Sequence, residues 1–133
     1  MLILSPSSVR FGIDVWSDVY RVAIESRSVE VVEEWGDDGP YEVFVDSTRR
    51  KTLVRVLQDV GKDELETPSV GALGTLVVEA DRGNDADQSV VTLSGVVESV
   101  SYLFSGSRST REVRLIAMSS SGDQDPVSVS GGD

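Results

Sequence analysis

Residues 41–60, YEVFVDSTRRKTLVRVLQDV, decide how the chain is expected to fold. From 41 to 46 two sets of side chains alternate, Tyr, Val and Val against Glu, Phe and Asp, which is the period of a strand with two different faces. Polar residues 46–50 interrupt this pattern. From 52 to 57 it resumes with β-branched side chains, which suit a pleated sheet better than a helix. The stretch therefore predicts a β-hairpin with its turn at 46–50 and a central second strand.

The rest of the chain has the same sequence pattern, in which short apolar runs lie between turns. Other predicted strands cover residues 9–15, 19–25, 27–34, 73–80, 89–104 and 110–118. The first two are expected to form a hairpin around Trp16-Ser17-Asp18, and GDDGP at 36–40 is the strongest turn signal. Residues 61–65 predict one helical turn at most. We therefore expect an all-β fold with little helix, either an antiparallel β-sandwich or a barrel-like closed sheet.

The length of 133 residues predicts a single β domain, 1–133, without internal repeats. Residues 1–8 are expected to form an N-terminal arm, either a short edge strand or a segment that packs on a neighbouring chain. Residues 119–133 are rich in Ser, Gly and Asp, which predicts a flexible C-terminal tail.

The charge balance limits the partners of the protein. Twenty-three acidic and twelve basic side chains give a formal net charge of −11. Such a surface repels phosphate, so broad binding of nucleic acid is not expected. The same repulsion suits a surface along which DNA slides without adhering, although composition alone favours the simpler explanation of solubility.

The chain contains neither cysteine nor histidine. This excludes disulfides, thiolate zinc sites and thiol nucleophiles, and it removes the side chain most used for proton transfer near neutral pH. No catalytic motif is present, so we expect neither enzymatic activity nor a cofactor. The segment MLILSPSS lacks the basic flank of a secretory signal, and no apolar run is long enough to cross a membrane. We expect a soluble protein made in a cytoplasm.

Two acidic turns carry carboxylates of the kind that bind calcium. Asp81, Asp85 and Asp87 form one such group, and Asp123 with Asp125 forms the other. Carboxylate oxygens at close spacing suit calcium, but the bidentate Glu and the Gly that an EF-hand requires are missing at the corresponding positions. Solvated turn acids are the favoured interpretation, and no metal site is predicted.

Six side chains are the candidates for contacts between subunits: Arg49, Arg50, Lys51, Arg55, Trp16 and Trp35. The four basic residues form a cluster on an acidic protein, which indicates either a complementary contact or a charged hairpin tip that prevents edge pairing. The two tryptophans lie beside predicted turns, where they form a platform for a sugar or a partner, or simply cap the core.

Three segments carry a resemblance to a known family. They are VRFGIDVWSDVYRVAIES, STRRKTLVRVLQDVGKDEL, and the pair SVVTLSGVVESVSYLFS and STREVRLIAMS that leads to DPVSV. In their order and texture over about residues 9–119, the chain resembles the short tail tube proteins of tailed bacteriophages. It departs from them in having no clear helix to pack against the sheet.

The resemblance implies a virion protein, made in the host cytoplasm, that forms hexameric rings with copies of itself. Stacked rings conduct DNA without binding it specifically, other virion proteins are further partners, and no active site, cofactor or membrane is involved. A capsid decoration or head–tail joining protein is the alternative within the virion. A carbohydrate- or host-binding β-sandwich module is an alternative of another class, and a carboxylate hydrolase would need a cleft.

Overall fold

A computed structural model describes residues 2–60, 68–81 and 88–131, which form strands and turns without any helix. The nine strands are β1 Leu2–Leu4, β2 Pro6–Phe11, β3 Asp14–Trp16, β4 Val19–Trp35, β5 Glu42–Asp59, β6 Leu73–Asp81, β7 Gln88–Ser105, β8 Arg108–Met118 and β9 Ser128–Gly131. Every pairing between them is antiparallel. The prediction of an all-β, barrel-like fold is confirmed.

The strands form one sheet in the order β1-β4-β5-β8-β7-β6-β2-β3, and β9 pairs with β7. This sheet curls into a half-barrel. β1 pairs with β4 near one margin, and β2 pairs with β6 near the other. Only Ser5 separates β1 from β2. The first two strands therefore draw the two margins of the sheet towards each other.

The concave face of the curled sheet holds the hydrophobic core. Its buried members are Val9, Phe11, Trp16, Val22, Ile24, Val54, Val56, Leu76, Val78, Val91, Leu93, Val97, Val113 and Leu115. They come from every strand between β2 and β8, at the alternate positions that point to one face. Because full burial of one such side chain stabilises a protein by about 1.5–3 kcal/mol, this cluster is the main source of stability.

The hairpin turn predicted at 46–50 is wrong. β5 is one continuous strand, Glu42–Asp59, and the chain reverses at 36–41. Beside 46–50 the pairing of β4 with β5 shifts in register, but the chain does not reverse its direction. That segment contains no Gly or Pro, whereas 36–40 has two glycines and Pro40. Asp46, Arg49 and Arg50 in this segment are exposed, and the strand continues through them.

The hairpin predicted from 9–15 and 19–25 is also wrong. The chain already reverses at Gly12, whose φ of 63° is the left-handed conformation that glycine adopts easily. β2 and β3 pair around this turn, while β3 and β4 are not paired in the sheet. Alternation continues through a tight turn, so the pattern alone did not reveal the reversal.

Three later strands, β6, β7 and β8, lie within two residues of their predicted limits. Ser128–Gly131 forms β9 beside β7, a strand that the Ser- and Gly-rich composition did not predict. Val127 packs against the core and anchors the approach to β9. The predicted helical turn at 61–65 lies outside the described residues.

Candidate interaction surface

The β4–β5 hairpin continues beyond the half-barrel as a two-stranded ribbon, which we define as residues 27–50. β1 pairs with β4 only at 22–24, and β8 pairs with β5 only at 53–59. Among the described residues, no third strand pairs with the ribbon. At about 3.3 Å per residue, its strands extend about 30 Å from the barrel. The ribbon therefore has two open faces and two open edges.

Apolar side chains occupy both faces of the ribbon and its turn. They are Val29, Val31, Val32, Trp35, Tyr41, Val43, Phe44 and Val45, with exposed fractions between 38% and 84%. The register places Val32 and Phe44 on one face and Val31 and Val45 on the other. A contiguous exposed apolar surface of this kind is typical of an interaction site.

Charge is separated along the ribbon. Between 31 and 46 the chain has six carboxylates and no basic side chain: Glu33, Glu34, Asp37, Asp38, Glu42 and Asp46. The base of the ribbon is basic, with Arg27, Arg49 and Arg50, and Lys51 follows immediately. Arg49 lies 3.3 Å from Glu30, which pairs one of these charges. The ribbon thus has an acidic, apolar tip and a basic base.

The predicted basic cluster divides between the two faces of β5. Alternation places Arg49, Lys51 and Arg55 on the outer face, while Arg50 lies on the opposite face, where it borders a cavity shared with residues 119–126. Lys51 Nζ lies 4.0 Å from Glu98, and Arg55 Nε donates a hydrogen bond of 2.9 Å to Glu112.

Two arginines face each other on the outer side of the barrel. Arg55 on β5 is the register partner of Arg114 on β8. Both donate from Nε to the same oxygen, Oε1 of Glu112, at 2.9 Å and 2.7 Å. The hydrogen bond from Arg55, followed by that from Arg114, lowers the pKa of Glu112 below its ordinary value of 4.5. One carboxylate thus serves two guanidinium groups.

These arginines belong to what we call the basic patch: Arg27, Lys51, Arg55 and Arg114 around Ala23 and Leu53. The patch encloses a shallow cavity of about 270 Å³ that Glu25 and Glu98 also line. Sequence reasoning missed Arg114, because only the long-range register of β5 and β8 brings it beside Arg55. It also missed the ribbon, although consecutive apolar residues at 31–32 and 43–45 indicated a strand pair with two apolar faces.

The two tryptophans have different environments. Trp16 is buried, with its ring 5.3 Å from that of Phe11 and the Arg111 guanidinium 5.5 Å from its centre. This burial agrees with the alternative interpretation that Trp16 caps the core. Trp35 lies at the end of β4, beside the ribbon turn, and its side chain is exposed.

Other parts of the described structure offer little for chemistry. A cavity of about 520 Å³ is open and polar, with Arg50, Asp123 and Asp125 in its lining. Residues 2–60, 68–81 and 88–131 contain no group of three or more Asp or Glu side chains placed to hold a metal. Asp85 and Asp87 lie outside the described residues. No helix in the described ranges is long and apolar enough to span a membrane.

Comparison with known proteins gives no relative. No protein-family model matches the chain, and no curated protein matches it. The functional interpretation therefore depends on the geometry and charge of the chain itself.

Proposed function

We propose that the protein is a non-enzymatic structural subunit that associates with copies of itself, as the tail tube of a bacteriophage built of stacked hexameric rings. The ribbon carries this proposal. Its apolar side chains lie on both faces of a hairpin that no other described strand covers. An isolated two-stranded hairpin is only marginally stable in water, and its free edges invite pairing with another chain. Contact with a neighbouring subunit removes both disadvantages.

A second apolar surface supports the proposal from the opposite end of the sheet. Leu103 and Phe104 are exposed near the end of β7, and Phe104 stacks on Tyr102 with 6.2 Å between ring centres. Arg108 fixes the neighbouring turn through a 2.6 Å bond to Asp59, the last residue of β5. Because the ribbon lies at the start of β5, the two surfaces are at opposite ends of that strand.

Two unlike surfaces at opposite ends favour head-to-tail association. Contacts of this heterologous type generate rings when the rotation closes and filaments when it does not. The proposed ring is the closed case, and stacking of rings into a tube requires a second, separate contact. The net charge of −11 supports the proposed conduit, because an acidic lumen repels the phosphates of passing DNA.

The proposal is tested by imaging and sedimentation of the concentrated protein. We expect rings or short tubes in electron micrographs of the unaltered chain. We expect monomers from Phe44→Ser/Val45→Thr, because this variant removes one large apolar contact from each face of the ribbon without altering the core. Circular dichroism and urea unfolding check that the variant remains folded.

A strictly monomeric unaltered protein contradicts the proposal. Binding only to assembled capsids supports the decoration role instead. Binding to a glycan array that Trp35→Ala abolishes supports the carbohydrate-binding module.

A further inference from the structure

We propose that the acidic tip of the ribbon of one copy binds the basic patch of another copy. This inference rests on the proposed self-assembly and identifies the surface that receives the ribbon tip. The occupant of the patch is the ribbon face that displays Val32, Glu34, Phe44 and Asp46. Three features of the structure support this pairing: charge, an incompletely neutralised arginine pair, and shape.

Charge favours the pairing because the two surfaces have opposite composition. The tip carries six of the 23 acidic residues and no basic one, which is more than half of the net charge of −11. The basic patch gathers four of the twelve basic residues on three neighbouring strands. Complementary charges of this kind steer association and set its orientation.

The arginine pair indicates that the patch accepts a further carboxylate. Arg55 and Arg114 are directly opposite each other, an arrangement of like charges that destabilises a sheet. Glu112 supplies one carboxylate for both. The remaining guanidinium N–H groups have the geometry that binds a carboxylate in a bidentate manner. Glu98 also acts electrostatically on Arg114, so three carboxylates, Glu25, Glu98 and Glu112, face the four cations of the patch, and one further acid from outside the subunit completes the neutralisation.

The other two cations of the patch are held loosely. Arg27 lies 3.4 Å from Glu25, and Lys51 lies 4.0 Å from Glu98. Exposed pairs of this kind contribute little to stability, so these side chains can exchange partners when an acidic surface arrives.

Shape supports the same pairing. Ala23 and Leu53 give the patch an apolar floor, and the cations stand around it. On the ribbon, Val32 is opposite Asp46, and Phe44 is opposite Glu34. Alternation along each strand places all four side chains on one face. Apolar groups flanked by acids thus meet an apolar floor flanked by bases, with Phe44 as the side chain that enters the cavity.

The pairing must join different copies. The patch lies at the base of the ribbon, where Arg27 is paired with Lys51, and the tip lies at the other end, where Trp35 is paired with Glu42. Antiparallel pairing runs from the base to the tip with a few register shifts and holds the ribbon extended, so its tip does not fold back onto its own base. One copy therefore offers its tip to a neighbour and receives another tip, which propagates the assembly.

A charge exchange tests the inference. Glu34→Lys/Asp46→Lys reverses the ribbon face, and Arg55→Glu/Arg114→Glu reverses the patch. By sedimentation velocity, we expect each variant alone to associate at least about tenfold more weakly than the unaltered protein, because like charges then meet. An equimolar mixture should recover association, since each tip then faces a patch of opposite charge.

Two controls make the result specific. Arg10→Glu/Arg21→Glu changes the net charge as the patch variant does but alters exposed side chains outside the patch, so association should be retained. For the unaltered protein, raising salt from about 50 mM to about 500 mM should weaken association, because the screening length shortens. Urea unfolding establishes that each variant is folded.

The outcomes separate this inference from the proposed function. If the unaltered protein forms rings and both reversals leave them intact, the pairing is wrong and self-assembly stands. Loss of association without recovery in the mixture also overturns the pairing. A monomeric unaltered protein overturns both.

Discussion

The two halves of the β4–β5 hairpin show how much the surroundings of a strand matter. In the inner half, Val22 and Val54 are fully buried. In the outer half, Val31 and Val45 belong to the same two strands but are 48% and 59% exposed. Residue type and backbone conformation are alike, so burial is decided by what covers each half.

The cover consists of neighbouring strands and the opposite wall of the half-barrel. β1 and β8 flank the inner half and close its edges. The ribbon has neither flank among the described residues, so only its own ladder and cross-strand pairs stabilise it. The inner half is therefore built for stability, whereas the outer half is available for contact.

The strongest test of this difference in burial is the same substitution in both halves. Val54→Ala leaves a cavity in the core and should lower the free energy of unfolding by about 2–3 kcal/mol. Val45→Ala, on the same strand, should change it by less than about 0.5 kcal/mol because its side chain is exposed. Urea unfolding of dilute protein measures both. Equal losses would show that the ribbon is covered within the monomer.

We expect the next largest loss of stability from the buried hydrogen bonds near the other end of β5. Gln58 Nε2 donates to the Ser17 carbonyl at 2.6 Å, and Arg111 donates to Gln58 Oε1. Gln58→Leu deprives both partners of this contact and should lower the free energy of unfolding by about 1–3 kcal/mol. Gln124→Leu, at an exposed position, is the matched control. In the Gln58→Leu variant, Arg111→Met should lower the free energy of unfolding by less than it does in the unaltered protein, because the two groups are coupled.

A glycine comparison tests how closely the barrel is packed. A Cβ added at Gly95 would lie 2.7 Å from the carbonyl oxygen of Ile116, whereas one at Gly39 in the ribbon turn would meet nothing within 4 Å. Gly95→Ala should therefore lower the free energy of unfolding by about 1–2 kcal/mol through overpacking. Gly39→Ala should leave the unfolding midpoint almost unchanged. A neutral Gly95→Ala would mean that β7 and β8 shift apart without penalty.

The smallest expected effect is the pH dependence at the basic patch. The pKa of Glu112 is below its ordinary 4.5 in the folded protein, so its contribution is present above that pH and is lost as pH falls through the folded pKa. The stability difference between the unaltered protein and Glu112→Gln should be constant near neutrality and shrink in acid. This stability difference is small at every pH because the arginines that pair with Glu112 are about half exposed.

Urea midpoints across the acidic range measure this difference. Glu42→Gln in the ribbon is the control, since its register partner is Trp35 and not an arginine. A difference that grew on acidification would contradict the assigned sign.

Local pattern predicted the class of the fold and several strands. Alternation located β6, β7 and β8 because each lies in the sheet with one face on the core, and there the pattern reflects burial directly. It failed at 46–50, because polar side chains in an exposed ribbon resemble those of a turn. It failed at Gly12 for the opposite reason, since alternation continued through a real reversal.

The candidate surface was only partly predictable. Arg49, Lys51 and Arg55 share one strand face, so their clustering follows from spacing. Arg114 joins them through the pairing of β5 with β8, between residues almost 60 positions apart. The hydrogen bonds to Glu112 also depend on that register. A sequence pattern contains no record of such a long-range alignment.

The closure of the sheet by β1 and β2 has a consequence for how a newly made chain acquires its structure. β2 pairs with β6, about 70 residues later, whereas β4 and β5 are neighbours joined by a short turn. Nearby pairings form sooner than distant ones, since less chain entropy is lost in bringing them together. The β4–β5 hairpin can thus form while the ribosome is still adding β6, the strand with which β2 pairs. The exposed apolar ribbon is therefore present on a growing chain before the barrel-like sheet is complete.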